Sequence, residues 1–279
     1  MSAQTTPGEA VRPRALWRGQ QLSLVGVLLA LAAASWAVTE RLMGGMEAGP
    51  GMDLGGLGFY VVAWVVMMAA MMFPSISPMV LTYDRLRAAH RGRGKGAPAD
   101  ATAAFVGGYL VVWSAAGLAA YALFELGRWV PSDALGWDRG GRFLAGGVVV
   151  AAAVYQLTPL KDACLTRCRG PLMFVIEHWR HGRLGALRMG VIHGAWCVGC
   201  CWALMASLFA LGVMSLGWML LVAVLIAVEK LLPWKRVANV GAATVLLVLG
   251  LAIIVDPGAV PGLTIPGEGG MDRMDGLGR

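Results

Sequence analysis

Residues 57–82 read LGFYVVAWVVMMAAMMFPSISPMVLT and contain no charged side chain. About 20 apolar residues are enough for a helix to cross the roughly 30 Å hydrocarbon core of a bilayer. Lipid offers no partner to backbone N–H and C=O groups, so a run of this kind has to satisfy them internally, as a helix. Six further apolar stretches are read at about 20–38, 103–124, 142–160, 189–211, 215–232 and 237–255. The whole chain is 58% hydrophobic and only 14% charged, against roughly 45–50% apolar residues in soluble domains. Its mean hydropathy is +0.67. Soluble α/β and all-β folds are excluded on this composition. The expected fold is all-α: a polytopic helical membrane protein with about seven transmembrane helices.

The net charge of +7 raises the question of a nucleic-acid partner, and its distribution answers it. Of the 23 Lys and Arg residues, 17 fall in alternate inter-span segments. That is the positive-inside pattern, which puts the N-terminus inside and the C-terminus outside. The basic residues orient the chain, and the bilayer rather than DNA or RNA is their expected partner. Arg12, Arg14 and Arg18 precede the first apolar run as they would in a secretory signal. At roughly 18 residues that run exceeds an h-region of about 7–15, so an uncleaved anchor is expected. Cleavage would leave six spans and the same topology. The segment divisions are a flexible cytoplasmic N-terminus (1–19), a helical membrane domain (20–256) and a flexible tail (257–279). The basic stretch Arg85 to Gly96 is read as an inner linker near anionic headgroups. Pro171 to Arg183, with Trp179 and flanking arginines, is read as a short interfacial helix.

The chemistry concentrates in three places. Within the fifth span, HGAWCVGCC carries His193, Cys197, Cys200 and Cys201. At 100° per residue they fall at about 0°, 40°, −20° and 80°, on one arc of a helix. Thiolate and imidazole are ligands of Cu(I) and Zn(II), yet one helix cannot complete a coordination shell by itself. In the second span Met67 and Met71 stand one turn apart, as do Met68 and Met72, ahead of Pro74 and Pro78, which are expected to kink the helix. Methionine packs cores, and its thioether also binds Cu(I). After the fourth span, YQLTPLKDACLTRC places Cys164 and Cys168 at i and i+4, so both face one way if the helix continues past Pro159. Lys161 there is read as snorkelling to headgroups. Glu229 and Lys230 are read as a paired boundary at the inner end of span six. Counted along the spans, the methionines and the Cys197–Cys201 group lie near mid-membrane and Cys164 with Cys168 near the inner surface.

Together, the strings MMAAMMFPS, YQLTPLKDACLTRCRGP and HGAWCVGCCWALM resemble a bacterial family of predicted metal-binding integral membrane proteins of unknown function, domain-of-unknown-function family 2182. The resemblance spans roughly residues 60–232. It implies an inner-membrane location and a metal site at the cysteines and His193, and it implies no substrate or reaction.

The expected function is therefore binding of a soft metal ion for transport, delivery or metalloenzyme assembly. Copper as Cu(I) is the leading ion and zinc the alternative. His193, Cys197, Cys200 and Cys201 are the primary candidates, Cys164 and Cys168 an access or partner pair, and Met67 and Met71 a weak transfer site. A metalloenzyme or metallochaperone is the expected protein partner. A membrane thiol–disulfide oxidoreductase and a metal-free scaffold subunit stay open as alternatives. No GxxxxGK[ST] loop is present, so ATP hydrolysis on this chain does not drive transport. No CxxCH motif supports haem attachment at His178, His181 or His193.

Overall fold

A computed structural model describes residues 12–44, 54–91, 98, 100–129, 137–212 and 215–263. The loop before Leu54, the basic stretch 92–97, residues 1–11 and the tail beyond 263 lie outside the described residues. The described residues are 88% helix, with no strand among them. The helices are α1 (Arg12–Met43), α2 (Leu57–Arg91), α3 (Ala101–Gly127), α4 (Arg142–Tyr155), α5 (Pro159–Arg169), α6 (Pro171–His178), α7 (Gly182–Leu211), α8 (Leu216–Leu231) and α9 (Lys235–Val255). A π-helical turn, Trp137–Gly141, leads into α4.

Six of the seven predicted apolar stretches each overlap a single helix, and the fourth, 142–160, does not. Five of the helices are long and apolar enough to cross a membrane: α1, α2, α3, α7 and α9. The predicted fourth span is broken. Pro159 has no N–H to continue α4, and Thr158 caps a new helix by accepting from Lys161 N at 3.3 Å. The segments on either side of this break are bent by 66°. At 14 residues α4 rises only about 21 Å. α8 has 16 residues and ends just before Pro233.

Proline has a milder effect in α2, which runs on through Pro74 and Pro78. Neighbouring hydroxyls bond to the carbonyls of that stretch: Ser75 Oγ donates to Met72 O at 2.9 Å, Ser77 Oγ to Phe73 O at 2.7 Å and Thr82 Oγ1 to Pro78 O at 2.8 Å.

α7 is the central element, packed against α3, α4, α5 and α8. Its approach to α3 depends on small residues. A Cβ on Gly190 would lie 2.0 Å from Phe105 O, and one on Gly108 would lie 2.2 Å from Leu187 O. The two backbones therefore touch, as in the small-residue interfaces of membrane helices. α2 joins α3 through Trp64 Nε1, which donates to Trp113 O at 2.8 Å, and the Tyr60 hydroxyl, which donates to Gly117 O at 3.1 Å. α1 covers α2, and α9 covers α4. Outward aliphatic side chains such as Leu22, Val237 and Val255 are left exposed on α1 and α9. The buried side runs through α2, α3, α7 and α8, and it contains Cys197, Cys200 and Cys201.

Candidate metal centre

One turn of α7 presents Cys197, Cys200 and Cys201 inward, all buried. Their sulfur atoms lie within 4.8 Å of one another. Cys200 Sγ is 3.3 Å from Cys201 Sγ. A second helix brings a further thiol beside them. Across the α5–α7 contact Cys168 Sγ stands 3.7 Å from Cys200 Sγ, and Cys168 is only half-buried. All five cysteines are free.

The fit to a thiophilic ion can be checked on these distances. Metal–thiolate bonds of about 2.3 Å at tetrahedral angles hold sulfurs roughly 3.8 Å apart. The 3.3 Å separation inside the 4.8 Å group, and the 3.7 Å from Cys200 to Cys168 beside it, need only small side-chain adjustments to reach that spacing. Thiols are also the donor type that Cu(I) and Zn(II) take.

Two polar groups from other helices close on Cys197. Lys230 Nζ of α8 donates to Cys197 Sγ at 3.0 Å. The Tyr109 hydroxyl of α3 is 3.1 Å from the same sulfur. Sequence reasoning missed both. Glu229 and Lys230 form no mutual pair; adjacent helical residues diverge by about 100° and point to different partners. Lys230 goes to the cysteines, while Glu229 takes Lys161 Nζ on both carboxylate oxygens, at 2.7 and 2.6 Å. Lys161 is 0% exposed and Glu229 1%. Lys161 therefore does not snorkel: the bend at Pro159 turns it into the helix packing, where it meets a carboxylate. The charged residues near the end of an apolar span were the available signal. Tyr109 gave none, since tyrosine is common in apolar helices.

Further contacts tie α5 to α7, to the end of α8 and to the start of α9, and tie α4 to α7. Arg169 Nη1 donates to Glu229 O at 2.8 Å, and its Nη2 donates to Leu232 O. Lys235 Nζ reaches Asp162 Oδ1 at 2.6 Å and Thr166 Oγ1 at 2.8 Å. The Arg167 guanidinium lies 3.9 Å above the Trp196 ring. The Tyr155 hydroxyl, at the end of α4, donates to Gly199 O at 2.5 Å. Cys168 is brought to Cys200 by this set of ties.

The remaining sequence candidates are placed as follows. Cys164 is buried against α7 at Gly199, where an added Cβ would lie 2.8 Å from Cys164 Sγ. His193 is buried with its ring among Phe105, Tyr109 and Phe174, at centroid distances of 6.1, 5.9 and 5.2 Å. Its Nδ1 has no hydrogen-bond partner, and its ring nitrogens lie outside the 4.8 Å sulfur group. Met67 and Met71 are buried on α2, whose main neighbours are α1, α3, α6 and α8. Gln156 is buried with both amide atoms unpaired.

Apolar helices of bilayer length, enclosing a thiol cluster against one ammonium group, define a helical protein equipped to hold a thiophilic metal. The comparison with protein families narrows that class. A family model described as PpoB2, copper chaperone, matches residues 61–253, well over half of the chain, and the chain belongs to that family. The matched region runs from α2 into α9 and includes every cysteine. No curated protein and no solved structure matches the chain.

Proposed function

We propose that this protein is a multi-pass inner-membrane copper chaperone that takes up Cu(I) as cargo and passes it to a copper-using protein. The observation that carries the reading is the grouping of the Cys197, Cys200 and Cys201 sulfurs within 4.8 Å, with Cys168 reaching them from a second helix. Cys168 is the most accessible of the four, so it is the natural point of exchange with a donor or acceptor thiol. Cu(I) then moves inward by replacing one thiolate with the next, from Cys168 to Cys200 across 3.7 Å and on to Cys197 and Cys201. Each thiol loses its proton as it binds. His193 is assigned as a further ligand one turn before Cys197, Cys164 as the inner partner of Cys168, and Met67 with Met71 as a weak thioether station. Seven spans with the N-terminus inside account best for the asymmetry of Lys and Arg, with α4 plus α5 acting as the broken fourth span and α8 as the short sixth.

Metal analysis of the purified full-length protein tests the reading. The wild type is expected to retain copper, and the combined Cys197→Ser, Cys200→Ser, Cys201→Ser variant to lose it. Wild-type stoichiometry in that triple variant would remove the site assignment. Met67→Leu with Met71→Leu is expected to weaken Cu(I) retention and spare Zn(II), because only Cu(I) gains from thioethers. That swap conserves volume, so its folding cost stays below about 1.5 kcal/mol.

A further inference from the structure

Lys230 occupies an unusual position for an ammonium group. It leaves an apolar helix, α8, and its hydrogen-bond acceptor among the described residues is a cysteine sulfur, Cys197 Sγ at 3.0 Å. The nearest carboxylate in sequence, Glu229, is committed with both oxygens to Lys161. Asp162, the other acid of this region, pairs with Lys235. Among the described residues the charged group in hydrogen-bond contact with the thiol cluster is therefore positive, and the two acids of this region are each paired with another lysine.

That charge has a consequence for the choice of ion. Three thiolates around a monovalent ion carry two net negative charges, and around a divalent ion they carry one. A fourth thiolate adds one to each count and leaves the difference unchanged. The metal-free cluster is the common reference for both ions, so its charge drops out of the comparison. A fixed positive group beside the cluster consequently favours the monovalent complex over the divalent one by one additional charge–charge interaction. In a poorly screened interior such an interaction within several ångströms is large.

We infer that Lys230 is the residue that sets ion selectivity at this site, acting as a fixed counter-charge that tilts a thiol cluster toward monovalent Cu(I) over divalent Zn(II). The inference rests on the copper-binding reading above and adds a residue outside the metal ligands themselves. The Tyr109 hydroxyl, also 3.1 Å from Cys197, is neutral and supplies no such tilt.

The test uses the full-length protein in detergent, with Cu(I) and Zn(II) affinities measured by competition against chromophoric chelators. Wild type is compared with Lys230→Met, Lys230→Gln and Lys230→Arg. The expected result is that Lys230→Met and Lys230→Gln each lower the ratio of Cu(I) to Zn(II) affinity at least about tenfold. Lys230→Arg, which keeps the charge, should hold the ratio near its wild-type value. The two neutral variants differ in polarity, so failure of one to fold leaves the other to decide. An equal loss for both ions, or an unchanged ratio, would overturn the inference while leaving the copper site standing. A wild-type protein that binds neither ion would instead overturn the site itself.

Discussion

Removing one partner of the Lys161–Glu229 pair tests how the centre is assembled. Lys161→Met leaves the Glu229 carboxylate 1% exposed, without the group that contacts both of its oxygens at 2.7 and 2.6 Å. Breaking a buried pair on one side costs roughly 3–5 kcal/mol, since the stranded charge has lost its compensation and cannot regain water. That corresponds to about two to four orders of magnitude in the unfolding constant. Replacing both members, as Lys161→Met with Glu229→Met, removes the stranded charge and should recover most of the loss. The pair also helps hold α5 against α8, so the single variant should loosen Cys168 from Cys200, which now stand 3.7 Å apart. Unfolding of the purified protein by denaturant in mild detergent measures the first effect. Cross-linking of Cys168 to Cys200 by a short bifunctional thiol-alkylating reagent measures the second. The expected order of stability is wild type, then the double variant close behind, then either single variant well below. Single variants as stable as the wild type, or a double variant no better than the singles, would refute the account of a closed, mutually compensated pair.

Two further outcomes follow, one from helix packing and one from the distribution of Lys and Arg. Gly190→Ala places a Cβ 2.0 Å from Phe105 O, a backbone atom that cannot step aside, so α3 must separate from α7. A loss of roughly 1–3 kcal/mol or more is expected in the same unfolding assay, whereas Gly147→Ala, with open space around the new Cβ, should be nearly neutral. Reporter fusions near Arg91 and after Pro257 should fall on opposite sides of the membrane, inside and outside respectively. Finding both on one side would remove the seven-span topology.

Much of the helical architecture was legible because a bilayer imposes a length and a composition on any segment that crosses it. α2, with no charge between Leu57 and Thr82, could be read without knowing a single neighbour. The same holds for the turn of α7 that carries the cysteines: a period of 3.6 residues alone puts Cys197, Cys200 and Cys201 on one arc. Their sulfurs do gather within 4.8 Å. The break at Pro159 was visible as a hazard, since proline lacks the donor that a continuing helix needs. Its outcome was not, because the direction a chain takes after a break depends on what it packs against.

Partner choice between helices was decided only by the tertiary structure. Glu229 and Lys230 are neighbours in the chain and look like a pair, yet the helix sends them apart. Only the placement of α5 and α7 determines that one meets Lys161 and the other Cys197. Cys168 reaches Cys200 across 32 positions of sequence, through a bend of 66° and a set of ties from Arg169, Lys235 and Arg167. Tyr109 arrives from α3 only because Gly108 and Gly190 let two backbones touch. Local periodicity and transfer free energy act along the chain and can be read from it. Charge pairing and ligand completion act through space, between segments whose crossing is set by packing.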